Sequence, residues 1–171
     1  MTYPLVELKR MGSNKLVFQL KNTSLGITKK QDFKYHGLVV KLDGLGILGF
    51  KKTARSSWYK DNEKRLWNVI ENDPNKRGAT IRTYSQLLDS DAIFTFLTSY
   101  NTGLLSKSEN TYLENTDSLT KRYYILLKSQ TSTDYLTNIV SQKNYNSYTT
   151  DYLLPKSITD NNYLGTALQR S

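Results

Sequence analysis

The residues able to do acid–base, nucleophilic or metal chemistry are few and do not converge. His36 is the single histidine of the 171-residue chain. It stands between Tyr35 and Gly37 with no carboxylate or hydroxyl at a motif spacing, so it reads as structural rather than as a catalytic base. Cysteine is absent, which excludes disulfides, thiolate metal sites and cysteine nucleophiles. Asp89 and Asp91 lie two apart, but no calcium loop with its Gly and terminal Glu follows them. Glu63, Glu71, Asp73 and Glu114 form no recognisable acid–base pair. The expectation is a chain with no catalytic residue, no metal and no cofactor, and hence not an enzyme.

One nucleotide-type motif has to be weighed. Gly44-Leu45-Gly46-Ile47-Leu48-Gly49 matches G-x-G-x-x-G. A dinucleotide site needs a strand before it, a helix after it and an acidic residue about 20 positions on. Here the following residues, Phe50 to Arg55, carry a strand pattern. Gly44 and Gly46 then read as a tight turn, and Gly49 as a position that leaves room for a neighbouring backbone or ring. Gly37, Gly44, Gly46, Gly49, Phe50 and Trp58 are the expected turn and packing residues. Trp58, Tyr59 and Trp67, near Lys and Arg, could also build an aromatic platform for carbohydrate or single-stranded nucleic acid. Core packing is the preferred reading, because Trp58 aligns with Phe50 and Ala54; Tyr59 and Trp67 are kept as the candidate binding surface.

The elements that must position these residues read as strands. Tyr is abundant, with 13 against 5 Phe and 2 Trp, and it suits half-buried pleated surfaces. Strands are expected over 15–20, 33–42, 47–59, 66–70 and 79–84, and over 110–115, 122–135, 139–148 and 152–159. Asn72-Asp73-Pro74-Asn75 is a turn, since Pro presets φ and the Asn and Asp side chains bond nearby backbone. Short polar turns are expected at 22–24, 115–118, 136–138, 147–151 and 159–162. The window 85–100 is read mostly as strand, with a helical turn near Gln86 to Leu88. On the strand after Gly46, Leu48, Phe50, Ala54 and Trp58 share the buried face. The fold class is therefore all-β, an antiparallel hairpin meander forming a curved sheet or open shell segment with little helix, in a single module over 1–171.

Charge and hydropathy narrow the partners. The 24 Lys and Arg against 15 Asp and Glu give a formal charge of +9. That favours attraction to polyanions in general. The cations are scattered, with short clusters only at Lys29-Lys30, Lys51-Lys52 and Lys121-Arg122. Scattered lysine on a β protein protects strand edges, and nucleic acid is not the expected partner. No apolar run approaches 18 residues, and the first residues lack the pattern of a signal peptide.

The run Tyr35-His36-Gly37-Leu38-Val39-Val40, followed by Gly44-Leu45-Gly46-Ile47-Leu48-Gly49-Phe50 and on to Trp58-Tyr59, resembles a segment of bacterial Rhs/YD-repeat proteins. The B component of insecticidal Tc toxins carries a similar segment. Trp67 to Pro74, Thr133 to Thr137 and Asp151 to Pro155 extend the resemblance over roughly Phe33 to Lys156. The repeat consensus itself is barely present; Tyr100-Asn101-Thr102-Gly103-Leu104-Leu105 is its nearest approach. The resemblance implies a spiral of β-hairpins forming a hollow shell around a C-terminal effector. The chain would then be a fragment or short relative of such a secreted or cell-surface bacterial protein. Its partners would be the rest of the shell, the enclosed effector and, through strand edges, other copies of itself. Its role would be encapsulation, with no catalytic residue carried over. The alternative is a basic β-sheet module that binds polysaccharide or another polyanion.

Overall fold

The computed structural model describes residues 3–9, 15–88, 103–116, 123–164 and 167–170. They are almost entirely antiparallel strand, with one 3-10 turn at Pro74–Lys76. The strands group into two compact units, Met1–Leu105 and Ser106–Ser171.

The first unit holds β1 (Leu5–Leu8), β2 (Gln19–Ser24), β3 (Ile27–Lys41), β4 (Gly46–Ser56), β5 (Arg65–Asp73) and β6 (Ala79–Leu88). Strand β3 is the organiser. Its first half pairs with β2 and its last residues with β1, while β4 pairs along its other edge. β4, β5 and β6 then follow as a meander. The register lines side chains into rows across the sheet. One row runs Ser56, Trp67, Gln86; the next runs Lys34, Ala54, Val69, Tyr84; a third runs His36, Lys52, Glu71, Arg82. Ala54, Trp67, Val69 and Tyr84 form the buried core, with Leu88 and Leu104 packed against it.

The turns are chemically determined. The β5–β6 connection is the expected Pro turn, with the Asp73 carboxylate accepting from Asn75 N–H at 2.9 Å. The β2–β3 hairpin closes through Leu25-Gly26, both at positive φ. The β3–β4 register slips by one residue between Val39 and Val40, which pair with Gly49 and Ile47. Such a bulge adds a local kink and twist where the glycines sit.

The second unit holds most of β7 (Leu104–Thr116), then β8 (Tyr123–Asp134), β9 (Ile139–Tyr148), β10 (Pro155–Leu164) and β11 (Ala167–Arg170), each antiparallel to the next where pairing is described. None of its described side chains is buried. Backbone ladders and pairs of short polar side chains hold it. Thr111 and Ser129 share a 2.6 Å hydroxyl contact, the Ser132 hydroxyl donates to that of Ser108 at 3.2 Å, and the Asn146 amide donates to the Thr159 hydroxyl at 2.8 Å. Cross-strand pairs of this kind contribute roughly 0.2–1 kcal/mol each.

Several boundaries differ from the sequence expectation. Gln86 to Leu88 continue β6 as strand, because Trp67, Leu66 and Arg65 in β5 offer them ladder partners. Residues 22–24 lie inside β2, and the turn falls one residue later, at Leu25-Gly26. Residues 159–162 lie inside β10, where pairing with β9 outweighs their turn chemistry. β4 ends at Ser56, so Trp58 escapes the buried face expected for it and is 44% exposed. The short β1 was not anticipated. The rest of the window 85–100, with Asp89 and Asp91, lies outside the described residues.

Candidate functional site

The most elaborate polar constellation of the described residues surrounds Asp32, in the middle of β3. Asp32 is buried because it stands beside the end of β4 and under the 57–64 loop. Its backbone N–H donates to the Ser56 hydroxyl at 2.8 Å. One carboxylate oxygen accepts from the Gln19 amide at 2.7 Å. The other accepts from the Tyr59 hydroxyl at 2.6 Å and from the Arg65 guanidinium at 2.9 Å. The guanidinium also lies over the Tyr59 ring, 4.2 Å from its centroid. Cation, ring and carboxylate thus compensate one another where a lone buried charge would be costly.

A polar concavity of about 270 Å³ opens beside this cluster, lined by Phe18, Gln19, Lys30, Lys34, Asp61 and Arg65 among others. Asp61 binds Lys30 at 2.5 Å, and that hydrogen bond holds the Asp61 carboxyl below its ordinary value. Both carboxylates at the concavity are therefore engaged by cations. In glycoside chemistry one acid must be protonated and one base left available across a substrate gap; here Asp32 is held by three donors instead. The arrangement clips the 57–64 loop onto β3.

A second charged row lies on the same sheet. The Lys52 ammonium is buried and sits 3.0 Å from Glu71, whose other oxygen accepts from Arg82 at 2.8 Å. Lys52 also lies 5.3 Å from the centre of the Tyr84 ring. Among the described residues no group of three His, Cys, Asp or Glu is placed to hold a metal.

The opposite face carries a shallow apolar dish of about 400 Å³, walled by Phe33, Tyr35, Thr53, Arg55, Asn68 and Ile70. Tyr35 packs against Phe50 at 5.0 Å between ring centres. Along the same face the cations are Lys29, Lys51 and Arg55, with Lys51 paired to Glu7 of β1.

The residues singled out from sequence scatter across this framework. Trp67 is fully buried and presents no binding surface, and Tyr59, 4% exposed, contributes only to the wall of the polar concavity. Tyr59 is withdrawn by its hydrogen bond to Asp32, and Trp67 by its central place in the core row. His36 is exposed on β3 opposite Lys52. Gly44 and Gly46 stand at the β3–β4 turn. Gly49 was expected to leave room for a neighbour, yet the space where its Cβ would sit is open, and the requirement is its φ of +104°. Of Gly37, Gly44, Gly46 and Gly49 it is Gly37 that is crowded: a Cβ there would lie 2.8 Å from Lys51 Cδ. Asp32, Arg65, Lys52 and Glu71 were not singled out as a cluster. The usable signal was parity, since Lys52 and Ser56 share the parity of Phe50 and Ala54 on β4 and so fall on the buried face.

No protein-family model, curated protein or solved structure matches the chain.

Proposed function

We propose that the chain is a structural wall segment of a larger Rhs/YD-repeat-like β-shell, without catalysis of its own. The observation that carries this reading is the second unit. It is a hairpin meander whose ladders have no buried residue behind them among the described residues. The outer edge of β10 over 155–161 also has no strand paired to it among the described residues. A meander with both faces half-covered and an edge unpaired gains stability when neighbouring hairpins continue it. The Asp32 and Lys52 clusters fit the same role, because each ties elements together through paired charges.

Electron cryomicroscopy of the natural polypeptide that carries this segment tests the proposal. The expected image is a β-shell whose wall includes β3 to β10 and continues beyond β10. A separate closed domain at this position would overturn it.

The apolar dish favours a second reading, a face that binds polysaccharide through Phe33, Tyr35 and Arg55 instead of Tyr59 and Trp67. Glycan-array binding abolished by Tyr35→Ser, in a protein that still folds, would support that reading over a pure wall.

A further inference from the structure

The β2–β3 hairpin projects an apolar tip above a basic collar. Ser24 and Ile27 are its last pair, so Leu25 and Gly26 form a two-residue turn with φ of +50° and +76°. This turn class favours Asn-Gly or Gly-Gly, and a leucine at positive φ is strained. The Leu25 side chain is nonetheless 99% exposed and Ile27 is 49% exposed. A bulky apolar residue in a costly backbone state and fully in water calls for an explanation, since strained positions of this kind cluster at functional sites.

The collar follows from the register. Thr23 and Thr28 come next below the tip, joined by a 2.9 Å hydroxyl contact. Lys29 lies opposite Asn22, and Lys21 lies directly opposite Lys30. Like charges across a ladder repel, and the carboxylate at this level, Asp61, binds Lys30. At about 3.3 Å per residue, Lys29 stands about 7 Å and the Lys21–Lys30 pair about 10 Å below the last pair of the hairpin. Interfacial segments bury their apolar side about 5–10 Å into the headgroup and acyl boundary. The spacing therefore puts the lysines at phosphate depth when the tip is inserted.

We propose that the β2–β3 hairpin is a membrane-surface anchor: Leu25 and Ile27 enter an anionic bilayer while Lys21 and Lys29 meet its headgroup phosphates, Lys30 being held by Asp61. A second copy of this chain is the less suitable occupant, because the formal charge of +9 would bring cations against cations. An anionic lipid surface supplies both the apolar layer and the opposite charge.

Flotation of the full chain with vesicles of phosphatidylcholine alone, and of equimolar phosphatidylcholine and phosphatidylserine, tests this. The wild type is expected to float with the anionic vesicles and not with the neutral ones. Leu25→Asn removes the apolar tip but suits the left-handed turn, so it should weaken flotation by about tenfold or more while leaving Tm unchanged or higher. Lys21→Gln with Lys29→Gln should weaken binding and flatten its salt dependence. Failure of the wild type to float, or unchanged flotation of a folded Leu25→Asn chain, would overturn the proposal. So would equal binding to both vesicles. A wild-type oligomer that Leu25→Asn dissociates, with no flotation, would instead assign the tip to a second copy.

Discussion

Single side chains in the first unit carry sharply unequal weight. Asp32 holds Gln19, Tyr59 and Arg65 together, and truncating it leaves a partly buried guanidinium without its carboxylate. Asp32→Ala should therefore cost about 3 kcal/mol or more, and Asp32→Asn less, as read by urea unfolding. Gly49 makes a different point. Because its Cβ space is open and its φ is +104°, the cost of substitution is conformational. Gly49→Ala should already lose most of what Gly49→Val loses, roughly 1–3 kcal/mol; a steric origin would make valine far worse than alanine. Titration sets a third expectation. The Lys51 hydrogen bond lowers the Glu7 carboxyl, the Lys30 hydrogen bond lowers Asp61, and the backbone N–H of Leu136 lowers Asp134. A group lowered in the folded state stabilises it above the unfolded pKa, and that contribution fades as pH falls through the folded pKa. Tm should thus stay level down to about pH 5 and fall below about pH 4, with a shallower fall in a Glu7→Gln, Asp134→Asn double variant.

At the level of elements, much was legible in the sequence, and three of the misses share a cause. The β9 limits, Ile139–Tyr148, matched expectation because a polar turn ends the alternation on either side. The Pro74 turn was equally plain, since proline and aspartate dictate it locally. By contrast, 22–24, 86–88 and 159–162 carry turn or helix chemistry yet sit in strands. There the partner strand decides, and the partner cannot be read locally. The Asp32 cluster was hidden for the same reason: its members come from positions 19, 32, 59 and 65, and only the register brings them together. The two units should also differ in dynamics. Ladders that enclose Trp67 and Val69 open only with the core, whereas those of β9 and β10 have no buried side chain behind them. Hydrogen exchange at neutral pH should show β9 and β10 amides exchanging about tenfold or more faster than those at the centre of β5.

For the whole molecule, the consequential feature is the second unit, in which no described residue is buried. Where no side chain is sealed from water, no side chain has a shape that its neighbours must fit. Such a surface can change its spelling freely, provided that it keeps strand-forming alternation and the few backbone exceptions, such as Asn138 at φ +58°. A saturation-mutagenesis library selected for folding should give a nearly flat tolerance profile over 123–164, broken at proline substitutions and at the left-handed positions Asn138 and Leu153. Over 52–86 it should be deeply notched at Trp67, Val69 and Ala54. Lineages carrying such a module would preserve hairpin lengths while their letters diverge, and kinship would persist in geometry after it had faded from sequence.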